Sequence, residues 1–522
     1  MEFRNVGQIE KATQKSRQEM FRLGVALVFI VIIMLVTSIR AQGLESGYLL
    51  VIAAMIGGYM AMNIGANDVA NNVGPAVGSK AMTMTGAILI AAVFEAAGAL
   101  IAGGEVVSTI KSGIIDPALV TDPAEFIWLM MAALLAAALW LNLATYIGAP
   151  VSTTHSIVGG VMGAGIAAGG LGIVNWESLA GIAGSWVVSP VLGAFFAAFL
   201  LYFIKRQVTY KADMLTAAER FVPLLLAFMA WAFGTYLVMK GLKALWPVDF
   251  WVAAVTGLGI AVVVFLASRP WIRRRRQRLE NNREGVSNLF TIPLIFSAAL
   301  LSFAHGANDV ANAVGPLAAI NDALVNSEIS GKAPIPFWVL LVGAIGLSLG
   351  LALYGPKLIK TVGQEITDLD KVRAFCIALS AAFTVIVASQ LGLPVSSTHI
   401  AVGAVFGVGL LREYLKTSYA SQLHLIVEQH EGPDREKIRR FLETFKKSSL
   451  EDMDRMLTLA KKKKMEIPLS KKDRKRLKRV YKEELVKRSA LGRIVAAWLV
   501  TVPVSALVGA IIFFTIRGMM VG

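Results

Sequence analysis

The chain contains two short motifs, each written twice. GANDVANNVGP at Gly65–Pro75 returns as GANDVANAVGP at Gly306–Pro316, agreeing at ten of eleven positions. PVSTTHSIVGGVMGAG at Pro150–Gly165 returns as PVSSTHIAVGAVFGVG at Pro394–Gly409. Asp68 precedes His155 by 87 residues, and Asp309 precedes His399 by 90. Unrelated motifs recurring in the same order at nearly the same spacing mean that a whole multi-element unit has been duplicated. The chain is therefore expected to build one architecture twice.

Hydropathy says in which solvent. Of 522 residues, 56% are hydrophobic and 16% charged, against ~25% charged in a soluble domain; the mean hydropathy is +0.63. The apolar residues lie in long runs, such as Leu23–Ile39, Phe221–Met239, Phe250–Ser268 and Leu491–Ile516. A run of ~20 apolar residues crosses a ~30 Å hydrocarbon core as a helix, and several of them exclude a lone signal peptide. The net charge of +16 would suit nucleic acid, but its placement does not. It sits between apolar runs, at Met1–Arg22, Lys205–Arg220, Arg269–Arg283 and Arg412–Arg493. Basic loops between spans are cytoplasmic loops facing anionic lipid. The single cysteine, Cys376, excludes an internal disulfide.

These charges set a topology. The N-terminus is placed inside, Leu23–Ile39 goes out, Tyr48–Val69 returns, and Met82–Ala102 goes out again. If both flanks of the first PVSTTH crossed fully, the basic loop after Ser178–Ile204 would fall outside. The conflict disappears if Ala124–Gly170 is a re-entrant hairpin turning at Pro150–His155. Backbone turned at that depth is tolerated only when buried in protein or lining a cavity. RRRRQR at Arg273–Arg278 fixes the next loop inside, so the second copy runs the opposite way, with a second hairpin at Arg373–Leu411. The expected fold is an all-α polytopic membrane protein. It has two inverted-topology repeats, each with a broken GANDVAN helix and a re-entrant helical hairpin. The segments are a cytoplasmic N-terminus (1–22), an extra first span with its outside loop (23–47) and the first repeat (48–204). A linker with two spans (205–288) precedes the second repeat (289–411), a basic cytoplasmic insert (412–490) and a final span (491–522) leaving the C-terminus outside. Within the insert, Glu451–Lys464 and Lys471–Lys487 read as charged helices. Inverted repeats are the signature of secondary transporters, whose sites lie near the midplane where the repeats meet.

The motifs suggest what such a site holds. In GANDVAN, Asp68 and Asn71 are three apart and share a helix face, with Asn67 beside them; Asn308, Asp309 and Asn312 repeat the set. The glycines and Pro75 invite a helix break. A carboxylate inside a membrane costs ~2.5 kcal/mol or more, so it faces a cavity and has a function. Carboxylate and amide oxygens are hard ligands suited to a small cation, and a carboxylate can instead carry a proton. Ser152, Thr153 and Thr154, like Ser396, Ser397 and Thr398, stand at a hairpin tip that opens a helix. Hydroxyl donors beside free N–H groups at the positive end of a helix form an oxyanion site without formal charge; Ser and Thr also serve there as caps. His155 and His399 close the two motifs, as proton-linked or positioning groups. Glu95 lies inside Met82–Ala102, with no acid to match it in Phe337–Tyr354. His305 precedes only the second GANDVAN, where the first copy has Ile64, and no role is read for it. There is no GxxxxGK[ST] loop for nucleotide and no GxSxG elbow for a serine hydrolase.

These duplicated motifs resemble the signature of the inorganic phosphate transporter (PiT) family, over about Tyr48–Ile204, Leu289–Leu411 and the final span. The resemblance implies a non-enzymatic symporter of phosphate with sodium or protons, working by alternating access, without cofactors, in a bacterial inner membrane. It implies that Ser152, Thr153, Thr154, Ser396, Ser397 and Thr398 hold phosphate, while Asn67, Asp68, Asn308 and Asp309 hold the cation. Asn71 and Asn312 join the cation set by their helix face. Glu95, His155 and His399 are accessory. A homodimer rests on the resemblance alone. Metal–phosphate complexes or sulfate on the same scaffold are alternative cargoes; an anion channel or an intramembrane hydrolase are remote ones.

Overall fold

The computed structural model describes residues 2–120, 122–241, 248–326, 335–365, 369–416, 432–447 and 488–521, with a few single residues between 456 and 477. Among the described residues all regular elements are helical, apart from one isolated β-bridge between Ile115 and Val174. Among the described residues, eleven helices are long and apolar enough to cross a membrane. They include the nine expected full spans and the first arm of each hairpin. The chain is a multi-pass membrane protein.

The first repeat contains α2 (Gly47–Gly78), α3 (Met84–Ala102), the short α4 (Gly104–Ser112), α5 (Pro123–Ile147), α6 (Thr153–Gly169) and α7 (Trp176–Ile204). Ahead of it stands α1 (Glu2–Arg40); after it come α8 (Met214–Gly241) and α9 (Phe250–Arg276), packed on each other. The short α10 (Arg283–Leu289) leads into the segment expected as the second repeat, which holds α11 (Thr291–Asp309), α12 (Ala311–Asn326), α13 (Phe337–Glu365), α14 (Lys371–Gln390) and most of α15 (Ser397–Lys416). The chain divides into two compact units, residues 1–408 with 491–522, and residues 409–490. In the second unit, α16 (Gly432–Lys447) buries Ile438, Phe441, Leu442 and Phe445 in a small core with Leu477, an i, i+3, i+4, i+7 stripe. The charged helices expected at Glu451–Lys464 and Lys471–Lys487 lie almost wholly outside the described residues. The final span is α17 (Arg488–Val521).

One expectation is corrected. The GANDVAN helix breaks only in the second copy, at Val310 between α11 and α12; α2 runs unbroken through Gly65, Gly74 and Pro75. Gly65 serves close packing rather than bending, because a Cβ there would collide with the carbonyl of Leu347 on α13. Gly306 likewise lies against the carbonyl of Glu95 on α3. Small residues allow backbones to approach in this way in membranes, where packing rather than hydrophobicity drives helix association.

Each hairpin is two helices joined by a short extended tip. Asp122 caps α5 by accepting from Ala124 N, with Pro123 at the first helical position, and Gly148 ends the helix in the left-handed region at φ 78°. Gly392, at φ 67°, follows α14 in the same conformation. The ion pair Lys111 Nζ–Asp322 Oδ2, 3.0 Å and buried, ties α4 to α12.

Candidate functional site

The site forms where the two GANDVAN segments face the two hairpin tips. Asn67 fastens α2 to the first tip: its Nδ2 donates to Thr145 Oγ1 (3.1 Å) and to the Ala149 carbonyl (3.2 Å), while Oδ1 accepts from Val151 N (3.2 Å). Asn308 does the same for the second tip, donating to Ser389 Oγ (3.0 Å) and the Leu393 carbonyl (3.2 Å). These two of the expected cation ligands thus grip the hairpins with their amide groups.

The carboxylates receive the tip hydroxyls. Thr153 Oγ1 donates to Asp68 Oδ2 at 2.9 Å, Thr398 Oγ1 to Asp68 Oδ1 at 3.1 Å, and Ser397 Oγ to Asp309 Oδ2 at 2.6 Å. Asp68 is therefore reached from both hairpins. Asn71 Nδ2 donates to Thr398 Oγ1 (2.9 Å), and Asn312 Nδ2 to Thr153 Oγ1 and Thr154 Oγ1 (3.3 and 3.2 Å). Each amide crosses to the hairpin of the other repeat. The tips also hold one another: Thr154 Oγ1 donates to the Val395 carbonyl (3.0 Å) and Thr398 Oγ1 to the Val151 carbonyl (3.5 Å). Ser152 and Ser396 cap their helices, accepting from His155 N (3.1 Å) and His399 N (3.2 Å).

Between the carboxylates stands a residue given no role from the sequence. His305 Nε2 lies 2.8 Å from Asp309 Oδ2 and 3.5 Å from Asp68 Oδ2, while Nδ1 lies 3.2 Å from Glu95 Oε1; all four side chains are fully buried. Glu95 Oε1 also accepts from Asn72 Nδ2 at 2.7 Å, so Asn72 is a second residue that sequence reasoning missed. The available signal was departure from the duplication: His305 replaces Ile64, and Asn72 is the one mismatch in the eleven-residue motif, against Ala313.

The donor set suits a cation. One atom each of Asp68, His305 and Asp309 lies within 4.8 Å of the others. Around them Asn71 Oδ1, Asn308 Oδ1, Asn312 Oδ1, Asp309 Oδ1 and Glu95 Oε2 are buried oxygens without a hydrogen-bond partner. Buried acceptors left this way are costly, and a small hard cation would satisfy them.

His155 and His399 stand elsewhere in this centre. Their rings meet edge to face at 4.4 Å, with Trp186 3.8 Å from the first and Trp498 3.6 Å from the second. They form one aromatic row rather than part of the carboxylate network.

A paired-carboxylate centre faced by duplicated hydroxyl tips, on a polytopic helical scaffold, can be set beside known proteins. The family model described as the phosphate transporter family matches residues 64–509. The chain belongs to the phosphate transporter family. A relative from Helicobacter pylori strain J99, named "putative phosphate permease", is 55% identical over 523 residues, covering 98% of each chain. A relative of the same description from Pyrococcus abyssi is 41% identical over 367 residues, covering 70% of this chain and 89% of its own. Among solved structures, one described as "The sodium-dependent phosphate transporter" superposes with a TM-score of 0.74 at 33% identity, covering 90% of this chain and all of the other. The matched residues take in the second half of α2, α3 to α16 and most of α17, and the family is one of transporters.

Proposed function

We propose that the chain is a secondary active transporter that brings inorganic phosphate into the cell by symport with sodium, alternating access to a site between the two repeats. The observation carrying this reading is the cluster of Asp68, His305 and Asp309, ringed by partnerless oxygens and faced by the hydroxyls of both hairpin tips. Asp68, Asp309, Asn71 and Asn312 hold the cation, with Asn67 and Asn308 fixing the hairpins against it. Thr153, Thr154, Ser397 and Thr398 turn their hydroxyls to phosphate, helped by the first N–H groups of α6 and α15 and the helix dipoles. Ser152 and Ser396 shape the two tips.

Coupling follows from shared atoms. Without cargo the threonine and serine hydroxyls donate to the two carboxylates. A cation on Asp68 and Asp309 competes for the same oxygens and frees the hydroxyls to face the anion. The cation also lowers the cost of bringing a phosphate charge next to carboxylates. Neither tip motif carries Lys or Arg, so the anion is held by dipoles that can release it. Sodium rather than the proton is favoured by the sodium dependence of the structurally similar phosphate transporter and by the number of oxygen ligands. We read the basic loops as cytoplasmic, which puts the N-terminus inside and the C-terminus outside, and the membrane as a bacterial inner membrane, as expected from the family resemblance.

The test is uptake of labelled phosphate into proteoliposomes under an imposed sodium gradient, an imposed proton gradient, or excess sulfate. Sodium-driven uptake indifferent to sulfate is the expected result. Uptake driven by protons alone would transfer the carboxylates to proton carriage, and sulfate uptake in place of phosphate would overturn the cargo.

A further inference from the structure

A cavity of about 670 Å³ opens between α1, α2, α5 and α13. Two cations from different helices line it, Arg22 and Lys357, against one carboxylate, Glu19. Lys357 Nζ donates to the Tyr146 carbonyl at 2.6 Å and lies 5.8 Å from the centroid of that ring. Its charge is thereby held beside the last turn of α5, at the foot of the first hairpin tip. Arg22 Nη1 lies 3.1 Å from Glu19 Oε1, with side chains 32% and 54% exposed. An exposed pair of this kind is weak, and a guanidinium has five donors, more than one carboxylate occupies.

The wall between this cavity and the site is thin. Thr145 lines the cavity, and its hydroxyl accepts from Asn67 Nδ2. Asn67 Oδ1 in turn accepts from Val151 N, within the tip itself. One hydrogen-bonded layer therefore separates the cavity from the hydroxyl cluster. Basic residues at the start of α1 and the end of α13 place this opening on the cytoplasmic side. The family match begins at residue 64, so α1, which supplies Arg22, lies outside it. Lys357, Tyr146 and Thr145 lie within the match, so α1 closes one side of a cavity whose other side belongs to the shared transport core.

We propose that this cavity is a second site for a phosphate group, a vestibule in which Arg22 and Lys357 take up phosphate as it leaves the first tip toward the cytoplasm. The proposal rests on the phosphate transport argued above. Opening the Asn67–Thr145 layer connects the two sites, and the cations draw the anion out of a site built without formal positive side chains at its tips. The headgroup of an anionic phospholipid presents the same phosphate group to the same two cations.

The test is labelled inorganic phosphate transport by the full chain in sealed vesicles, with KM read separately at the two faces by using both vesicle orientations. The variant carrying Arg22→Gln and Lys357→Gln together is expected to raise KM at the cytoplasmic face at least fivefold and to leave the outer-face KM within twofold. Arg17→Gln, which removes a charge from the same end of α1 without lining the cavity, leaves both values unchanged. Vesicles of phosphatidylcholine alone are compared with vesicles containing phosphatidylglycerol. A cytoplasmic-face shift in both lipids assigns the site to free phosphate, and a shift confined to phosphatidylglycerol assigns it to the lipid headgroup; either supports a phosphate-group site. Equal KM for variant and wild type at both faces in both lipids overturns it, as does an equal rise at both faces. A wild type that carries no phosphate overturns the transport reading and this one together, whereas a transporting wild type matched by its variant overturns this one alone.

Discussion

The two repeats make the same helix contact twice, once dry and once polar. Gly65 on α2 meets the carbonyl of Leu347 on α13 as Gly306 on α11 meets that of Glu95 on α3; Gly350 meets Met62 as Gly98 meets Phe303. Leu347 is thus the counterpart of Glu95, just as Ile64 is the counterpart of His305 and Ala313 of Asn72. At the first of these contacts Ile64 of the first repeat and Leu347 of the second, like Ala313, are all buried in an apolar core. The second contact has His305 of the second repeat against Glu95 of the first, with Asn72 on Glu95 and His305 on both aspartates. The substitutions that break the duplication meet in one cluster. Duplication supplied two equal carboxylate-bearing segments, and three side chains then made the centre between them unequal. A buried imidazole bridging two carboxylates needs a further polar support, which Glu95 and Asn72 supply; an isolated histidine at that depth would be left without it.

The equality of the carboxylates is the part to test first. Asp68→Asn and Asp309→Asn are each expected to cut sodium-driven phosphate uptake at least ~100-fold, the loss of one charged ligand at ~3 kcal/mol, with the protein still folded in the membrane. A folded variant of either kind with undiminished uptake would remove that aspartate from the cation site. Next in size is the polar trio. His305→Ile leaves Glu95 and the aspartates buried without their bridge and should lower stability by ~3 kcal/mol, read from thermal unfolding in detergent. Adding Glu95→Leu installs the Ile–Leu pair already accommodated at the other contact, as Ile64 and Leu347. The double variant should recover ~1 kcal/mol or more of that loss while remaining inactive, a coupling that a double-mutant cycle measures; strict additivity would mean that the two residues do not act as a unit. The smallest effect concerns the anchors. Asn67→Ala and Asn308→Ala each remove two amide-donated hydrogen bonds to a hairpin and should each cost ~1–2 kcal/mol, with Asn67 toward the upper end because its Oδ1 also accepts from Val151 N. A larger loss at Asn308 would show that the two hairpins are not held as these bonds imply.

Much of this was legible in the chain before any coordinate. Apolar runs and basic loops specify the spans, since length and charge act locally. The duplicated motifs also point to the two aspartates, the asparagines and the tip hydroxyls. What periodicity could not supply is which repeat each side chain serves. Asn71 and Asn312 cross to the opposite hairpin, a contact made across more than 150 residues of sequence. The expected break in α2 failed because its glycine answers a neighbouring backbone and not a bend. His305 was visible as an odd residue, but its meaning depends on Glu95, which lies on a helix 210 residues earlier. The imidazoles of His155 and His399, read in sequence as proton-linked or positioning groups, stand in a row with Trp186 and Trp498 that no local pattern announces.

The reciprocal threonines at the tips have a consequence for leakage. Thr154 ties the first tip to the backbone of the second, and Thr398 ties the second to the backbone of the first. A gate closed by one such bond could swing on its own hinge. Here Thr154 holds the second tip's backbone at 3.0 Å, while the single proton of Thr398 is shared between Asp68 at 3.1 Å and the first tip's backbone at 3.5 Å, so opening either hairpin breaks contacts made by both.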